Sequence, residues 1–532
     1  MRANPKLSGP KHNVFGIQTG VAISFLIKRH SATRGVKGGK GTKGEHACRI
    51  FYTRRTEFET AEEKLSWLSS ARLRELSAEE VQPDAKHNWI NLTHNDFEEL
   101  LPIASKAVKA AKKPSQEKAI FKLFSLGVVT NRDDWLYDVS RESLEAKVHT
   151  FIDKYESERL RWRAEGCPAG ISDWVSREIK WTSELESSLR RNVVLSFDVT
   201  RVRKAMYRPY SEAWTYFDRV ITHRIYQQDS IFPIGKPESN KCVIVTDPSA
   251  MKPWLACSVD QLPDLHYVGA AAGAVCLPLQ SVGIDGYQDN ITDWALKQFK
   301  DRYKSGNSET DALSTPSSRR TPGPSASATA KALAPRLRED DEPKSGKLRA
   351  RAITKQAIFH YVYAVLHDPV YREKYAQNLK REFPRIPFYG DFWQWAAWGE
   401  QLMALHLGYE TLAPWPLTRT DIPDEKARLN GGAPKPMLKA DKDVGRIALD
   451  SETTLAGIPP EAWTYKLGNR SALEWILDQY KEKKPKDPTI REKFNTYRFA
   501  DYKEHVIDLL ACVTRVSVGT QTIVAAMRVA AR

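Results

Sequence analysis

A long segment without aromatic side chains divides the sequence and constrains its fold more than any other feature. From about Lys304 to Lys347 the chain is rich in Ser, Pro, Thr, Gly and Ala and contains no Phe, Tyr or Trp. A segment of this composition cannot bury enough apolar surface to offset its loss of conformational entropy, so the pattern predicts a disordered linker or insertion over residues 304–348. The folded structure is therefore built from the sequence on either side.

The charge balance indicates an acidic partner. Lys and Arg number 81 against 66 Asp and Glu, which gives a formal net charge of +15. Such an excess attracts polyanions over long range, so nucleic acid is the first expectation. A basic enzyme that binds no nucleic acid is the alternative that composition leaves open.

The cysteines and the N-terminus indicate a cytoplasmic protein. The six cysteines are scattered without a C-x-x-C pair or a histidine at zinc-ligand spacing, so we expect reduced structural thiols and no metal site. The N-terminus has no charged and then apolar leader, and no apolar run approaches about 18 residues. We therefore expect no membrane partner.

Local patterns predict a mixed α/β chain. The apolar runs 21–27 and 47–53 predict two strands joined by a Gly/Lys-rich loop, with too little sequence before them to complete a sheet. Apolar spacing predicts helices at 58–73, 96–112, 142–166, 353–367, 369–379, 391–407, 471–480 and 502–513. The part after the linker is thus predicted to be mainly helical.

The motifs of self-contained enzymes are missing. A DNA adenine methyltransferase needs a Gly-rich strand-to-helix turn for S-adenosylmethionine and an Asn/Asp-Pro-Pro-aromatic tetrapeptide for the target amine, and the sequence has neither. The glycines and lysines of 35–46 lack the G-x-x-x-x-G-K-[ST] register of a phosphate loop, which favours a flexible connection. No G-x-S-x-G, H-E-x-x-H or kinase motif is present. We therefore assign no catalytic residue and no cofactor or metal site to this chain.

The segment 190–210 is the densest mixture of basic and aromatic residues. It carries six cationic side chains and one acidic side chain, Asp198. Cations interleaved with aromatics suit phosphate contacts and base stacking or base-edge readout, although a solvated surface packed through its aromatics fits the same pattern. The candidate DNA-binding residues here are Arg190, Arg191, Arg201, Arg203, Lys204, Tyr207, Arg208 and Tyr210.

Two shorter segments are further candidates for DNA contact. The polar turn 131–134 offers Asn131 and Arg132, which are residue types that read bases. The stretch 380–389 offers Arg381, Arg385 and Tyr389 on a loop stiffened by two prolines. Ordinary surface turns share both patterns.

Six stretches together resemble the C-terminal part of type ISP restriction-modification enzymes. They are NPKLSGPKHNVFGIQTGVAISFLIKR (4–29), CRIFYTRR (48–55), AIFKLFSLGVVTNRDDWLYD (119–138), AMYRPY (205–210), IFHYVYAVLHDPVYREKYAQNLKREFPRIPFY (358–389) and LEWILDQYKEKKPKDP (473–488). In that family, nuclease, helicase-like ATPase, adenine methyltransferase and target-recognition domains share one polypeptide.

The resemblance implies a division of the chain. Residues 1–56 would be the last strands of a methyltransferase sheet, 57–303 the first part of a DNA target-recognition domain, 304–348 the linker, and 349–532 the mainly helical second part. The partners would be double-stranded DNA and upstream methyltransferase, helicase and nuclease domains.

The function implied is specific DNA recognition for adenine N6 methylation and ATP-dependent cleavage. S-adenosylmethionine, ATP and Mg²⁺ would belong to the complete enzyme rather than to this chain. A divergent S-adenosylmethionine-dependent adenine methyltransferase and an inactive fragment of a longer gene remain as alternatives.

Overall fold

The structure is a computed structural model, and it describes a defined part of the chain. The described residues are 13–15, 21–27, 48–55, 59–84, 87–90, 93, 95–235, 240–248, 250–283, 286–304, 352–425, 429 and 433–532. The predicted linker, beyond Lys304, and the Gly/Lys-rich loop 35–46 lie outside these residues. Two compact units are present, Met1–Asp96 and Phe97–Arg532.

The unit Met1–Asp96 contains one small sheet, one α-helix and a short 3₁₀ helix, Leu73–Glu75, among its described residues. Strand β1 (Ile50–Tyr52) pairs antiparallel with β2 (Glu79–Val81). Helix α1 (Ala61–Ser70) begins at Thr60, whose side chain and that of Glu63 form a capping box. The predicted helix at 58–73 is confirmed in its central part.

The predicted hairpin between 21–27 and 47–53 is wrong. Residues 21–27 form no strand and are exposed, whereas β1 finds its partner almost thirty residues further along the chain. An apolar β-branched run indicates only that a strand is favourable, because a strand also needs a neighbour for its backbone hydrogen bonds.

The strands of Phe97–Arg532 are mostly short and antiparallel. In chain order they are β3 (Leu101–Pro102), β4 (Ser125–Leu126), β5 (Tyr137–Asp138), β6 (Val202–Arg208), β7 (Ser211–Tyr216), β8 (Cys242–Thr246), β9 (Ala256–Val259), β10 (Leu262–Pro263), β11 (Ala274–Pro278), β12 (Gln280–Gly283), β13 (Gly286–Asp289), β14 (Arg385–Ile386), β15 (Thr418–Asp421), β16 (Pro436–Asp441), β17 (Arg446–Asp450), β18 (Thr453–Ala456), β19 (Lys466–Leu467) and β20 (Arg470–Ser471).

The two longest helices of this unit lie near its start and at its end. They are α2 (Lys106–Lys109), α3 (Asp133–Leu136), α4 (Arg141–Ala164), α5 (Ile171–Trp174), α6 (Ser183–Arg190), α7 (Asp293–Lys304), α8 (Lys355–Val365), α9 (Pro369–Lys374), α10 (Ala376–Leu379), α11 (Phe392–Leu407), α12 (Pro460–Thr464), α13 (Ala472–Gln479), α14 (Pro488–Lys493) and α15 (Lys503–Val529).

Three four-stranded sheets organise the described part of this unit. Sheet A has the order β10-β6-β7-β5, sheet B the order β4-β11-β8-β9, and sheet C the order β15-β18-β17-β16. In sheet A, β10 runs parallel to β6 while the other pairs are antiparallel. In sheets B and C every pairing is antiparallel.

Sheet B is buried on both faces. On β8, Cys242 and Ile244 contact core 1, which also contains residues of sheets A and C and of helices α12, α13 and α15. Val243 and Val245 contact core 2, which contains α7, α8 and α11. A strand buried on both sides reads as a continuous apolar run, as CVIVT does. A third cluster of buried side chains, core 3, is formed where α3, α4, α6 and α14 pack against β6 and β7 of sheet A.

Helices α8 and α11 cross closely in core 2. A Cβ atom on Gly399 of α11 would overlap the backbone oxygen of His360 on α8, so a glycine is required at this crossing. The helix starts match the sequence, since Thr354 and Asp391 cap α8 and α11 through their side chains.

Helix α15 is longer than the predicted 502–513. The segment Phe499–Val529 is long and apolar enough to cross a membrane by length and composition, but half of its most apolar stretch is buried. Leu510, Val513 and Val516 pack into core 1. This burial is typical of a core helix in a soluble protein.

The prediction of a mixed α/β fold with a helical C-terminal part is confirmed. The predicted helix at 96–112 is wrong for most of its length. Pro102 lies in β3 of that segment, and only Lys106–Lys109 is α-helical. A proline lacks the N–H that a helix interior needs, which accounts for the break.

Candidate nucleic-acid interface

The basic and aromatic segment 190–210 runs from the end of α6 into strand β6. Thr182 caps α6 by accepting a hydrogen bond from the N–H of Leu185, and Arg190 and Arg191 end the helix on the surface. Strand β6 then pairs with β7; Val202, Ala205 and Met206 are buried, while Lys204 is exposed. The structure therefore divides the candidates of this segment into exposed and buried sets.

The exposed candidates are partly neutralised by carboxylates nearby. Arg190 Nη2 lies 3.7 Å from Glu186 Oε2, and Lys204 Nζ lies 2.8 Å from Glu212 Oε2. The hydrogen bond to Glu212 raises the pKa of Lys204, so this ammonium stays charged at neutral pH. Arg191 donates to the backbone oxygen of Ser187 at 3.3 Å.

Arg201 and Arg203 are half-buried, and both bind oxygen atoms of the protein itself. Arg201 pairs with Asp218 and, at 3.1 Å, with Asp198. Arg203 Nη1 donates to the carbonyl oxygens of Phe232 and Pro233 at 2.6 and 3.0 Å. Burial lowers the pKa of Arg203. Both side chains fix loops around sheet A.

Tyr207 and Arg208 belong to a buried polar cluster. Arg208 Nη1 lies 2.8 Å from Asp264 Oδ1, and the Tyr207 hydroxyl donates to Asp133 at 2.9 Å. Burial raises the pKa of Asp264 to about 6, although Arg208 acts in the opposite direction. A buried pair of this kind costs desolvation and fixes geometry, so it joins the segments around residues 133 and 264 to sheet A.

Tyr210 is part of core 1. It is 5% exposed, and its hydroxyl lies 3.0 Å from that of Tyr465. The residue has a φ of +53°, which accommodates the tight connection between β6 and β7. Because the ring is buried and the hydroxyl is hydrogen-bonded, Tyr210 cannot contact a nucleic acid in this conformation.

The two candidates of the polar turn 131–134 also differ in their exposure to solvent. Asn131 is exposed, whereas Arg132 is 1% exposed and donates to Ile221 O at 2.6 Å and to Thr182 Oγ1 at 2.8 Å. Burial lowers the pKa of Arg132 to about 10. Arg132 therefore binds the start of α6 rather than solvent.

The segment 380–389 contributes one open candidate. Arg381 is exposed, while Arg385 pairs with Glu98 at 2.6 Å. Tyr389 is buried and donates its hydroxyl proton to Asp368 Oδ2 at 2.7 Å. Of the three candidates predicted here, Arg381 is the one that is exposed and has no carboxylate partner among the described residues.

Sequence reasoning missed a second group of cations. The segments 177–180 and 484–493 are distant in sequence, yet Thr489 Oγ1 donates to the backbone oxygen of Glu178 at 2.7 Å. Arg177, Lys180, Lys484 and Lys486 are exposed on these segments. The lysine run in KEKKPKDP was the available signal, but nothing local joins it to Arg177.

The described residues give no sign of a metal centre. Within the described ranges, no group of three or more His, Cys, Asp or Glu side chains is placed to hold a metal ion. All six cysteines are free, and four of them are buried. Among the described residues, the exposed candidates supply cationic groups that can contact an anion.

Comparison with known proteins gives consistent matches. The sequence profile of the Type ISP C-terminal specificity domain matches residues 119–509. A chain of the DrdV–DNA complex is 41% identical, with a TM-score of 0.73 over 90% of this chain and 43% of that chain. No curated protein matches the sequence significantly.

Two more distant structures share the fold. A nuclease-deletion mutant of the Type ISP restriction-modification enzyme LlaGI, in complex with a DNA substrate mimic, is 23% identical with a TM-score of 0.66, covering 90% of this chain and 39% of that one. The ATP-dependent Type ISP restriction-modification enzyme LlaBIII, bound to DNA, is 21% identical with a TM-score of 0.62, covering 86% and 26%. The chain spans less than half the length of each of the three.

Proposed function

This chain belongs to the Type ISP C-terminal specificity domain family, and on that premise we propose that it recognises a specific sequence in double-stranded DNA. The observation that carries the proposal is the 41% identity, over 90% of the chain, to a protein solved in complex with DNA. The net charge of +15 fits a partner whose backbone is a polyanion.

The exposed candidates would supply contacts to the DNA. Arg190, Arg191, Lys204 and Arg381 suit phosphate oxygens, and Asn131 suits a base edge or the backbone. The buried candidates would act indirectly, because Arg132, Arg203, Arg208, Tyr210 and Tyr389 fix the loops and strands that display the exposed ones.

Methylation and cleavage would be carried out by other parts of a longer restriction-modification protein. This sequence has neither the Gly-rich turn nor the Pro-Pro-aromatic motif that S-adenosylmethionine-dependent adenine methylation needs, so the residues present do not fit that cofactor. S-adenosylmethionine, ATP and Mg²⁺ would bind to those other domains. The complete protein would act in the cytoplasm, where DNA is available.

Selection from a randomised duplex library tests the proposal directly. The purified chain is incubated with the library at moderate salt, and the retained DNA is sequenced. We expect enrichment of one motif, because base-edge contacts discriminate each position by about 1–3 kcal/mol.

A mock preparation from the same host, without the chain, controls for contaminating DNA-binding proteins. Uniform retention would mean that the chain binds DNA through phosphates without reading sequence, and would contradict specific recognition by this chain. No retention at low salt would contradict DNA binding itself, since phosphate contacts alone give measurable affinity.

A further inference from the structure

The segments 177–180 and 484–493 meet beside core 3 and form a cationic surface that is separate from segment 190–210. Thr489 bonds to the backbone of Glu178, and Ile179 and Ile490 are both buried in core 3. We call it the 177/486 surface, and its exposed cations are Arg177, Lys180, Lys484, Lys486, Arg491 and Lys493.

The backbone of this surface is held by two partly buried carboxylates. Asp134 Oδ2 accepts hydrogen bonds at 3.0 Å from the N–H groups of Lys486 and Asp487. Asp487 in turn accepts from Nε1 of fully buried Trp135 at 2.8 Å and from the N–H of Ile490 at 3.2 Å. Two prolines, Pro485 and Pro488, stiffen the same loop. The lysines therefore project from a backbone that is fixed before any ligand arrives.

Three carboxylates at this surface are bonded within the protein and a fourth, Glu492, is exposed, while several of the described cations form no ion pair. Asp134 and Asp487 accept the hydrogen bonds just described, and Glu178 pairs with Lys154 at 2.7 Å, which lowers the pKa of Glu178. Within the described part of the chain, Lys180, Lys484 and Lys486 have no ion pair. The surface therefore keeps a positive field that a nearby anion would feel.

We propose that the 177/486 surface binds the phosphate backbone of duplex DNA and contributes affinity without reading sequence. This inference rests on the proposed function, and names a second place where the chain contacts the same ligand. Ammonium groups on a fixed loop suit successive phosphates, because each contact displaces a condensed counterion and needs no particular base.

The test compares DNA affinity across a range of salt concentrations. The full chain, Lys484→Gln/Lys486→Gln and a charge-matched control, Lys112→Gln/Lys113→Gln, are titrated against a labelled duplex by fluorescence anisotropy. The control lysines are exposed and lie in the connection that follows α2. Each lost phosphate contact reduces the slope of log affinity against log salt by about 0.9, so we expect a reduction of about 2 for the 484/486 variant and no change for the control.

The loss should be the same for every duplex sequence, since phosphates carry no sequence information. An unchanged salt slope in the 484/486 variant, or an equal reduction in the control, would overturn the inference while leaving DNA recognition intact. Failure of the unaltered chain to bind any duplex at low salt would instead overturn the proposed function. Far-ultraviolet circular dichroism checks that both variants are folded.

Discussion

Helices α1 and α13 begin with the same capping motif but differ in how far they are buried. Each opens with a capping box, formed by Thr60 and Glu63 in α1 and by Ser471 and Glu474 in α13. None of the residues of α1 is buried, whereas five residues of α13 are. Capping satisfies the first N–H groups of a helix wherever it lies, but burial needs a partner surface.

The difference extends to the two units that contain these helices. Among the described residues of Met1–Asp96, no hydrophobic side chain is buried, and Phe51, Leu65 and Leu73 are about half exposed. The unit Phe97–Arg532 contains three cores. Substitutions in the two units should therefore differ most where they remove buried partners and least where they touch only the surface.

The largest difference between the two units in the effect of a substitution on stability is expected for ion pairs. Asp264→Leu leaves Arg208 charged and largely buried, and should lower the free energy of unfolding by about 3–5 kcal/mol. Glu80→Leu removes the exposed partner of Arg49 in the first unit and should have no measurable effect, because water screens that pair. Urea unfolding followed by tryptophan fluorescence measures both, because Trp67 and Trp89 report on the first unit and the other tryptophans lie in Phe97–Arg532.

A double variant separates charge burial from loss of packing. Asp264→Leu/Arg208→Met removes both charges, so it should recover most of the stability that Asp264→Leu loses. If the double variant is as unstable as the single one, the uncompensated charge is not the cause.

Leucine truncations compare the cores directly. Leu402 of α11 is fully buried, and Leu402→Ala should cost about 2–5 kcal/mol. Leu65 of α1 is 49% exposed, and Leu65→Ala should stay within about 0.5 kcal/mol. Equal losses in thermal unfolding would show that α1 is packed as tightly as α11, and would break the comparison.

The close crossing of α8 and α11 sharpens the comparison within the second unit. Gly399→Ala places a methyl group against the backbone of His360 and should destabilise the fold by about 1–3 kcal/mol. Gly390→Ala is the matched control, because its methyl group would meet no atom within 4 Å. A neutral Gly399→Ala in chemical denaturation would mean that the helices can separate without loss.

The smallest effect is a pH dependence of core stability. Burial lowers the pKa of His406 to about 3, and the neutral ring bonds to Tyr363 at 2.5 Å and Thr520 at 2.9 Å. The native state thus binds fewer protons than the unfolded state, and the stability that His406 contributes is present above about pH 6.5 and lost as pH falls toward 3.

Between pH 7.5 and 5.5 this loss should be about 1 kcal/mol. Glutamine can hydrogen-bond without titrating, so His406→Gln should lose less stability over that interval than the unaltered chain. Urea midpoints at the two pH values measure the difference. Parallel losses in both proteins would show that His406 is not responsible.

Features with local causes could be predicted from the sequence. The predicted helices at 353–367, 391–407 and 471–480 are confirmed as α8, α11 and α13, and the caps that begin them, Thr354, Asp391 and Ser471, are adjacent to them in the chain. The predicted hairpin of 21–27 with 47–53 was wrong because β1 pairs instead with β2, almost thirty residues further along the chain. The division of residues 1–532 into four segments stays a prediction, while the structure separates Met1–Asp96 from Phe97–Arg532.

The sequence by itself determined the mixed α/β class, the family and the excess of positive charge, since residue types, caps and apolar spacing are properties of neighbouring positions. Only the tertiary structure decided which cations remain on the surface. Arg132, Arg203 and Arg208 are engaged by oxygens of Ile221, Phe232 and Asp264. Lys486 remains exposed because its backbone is held by Asp134, more than three hundred residues earlier. A buried charge requires a hydrogen-bonding or charged partner, and the sequence alone does not show which distant residue supplies it.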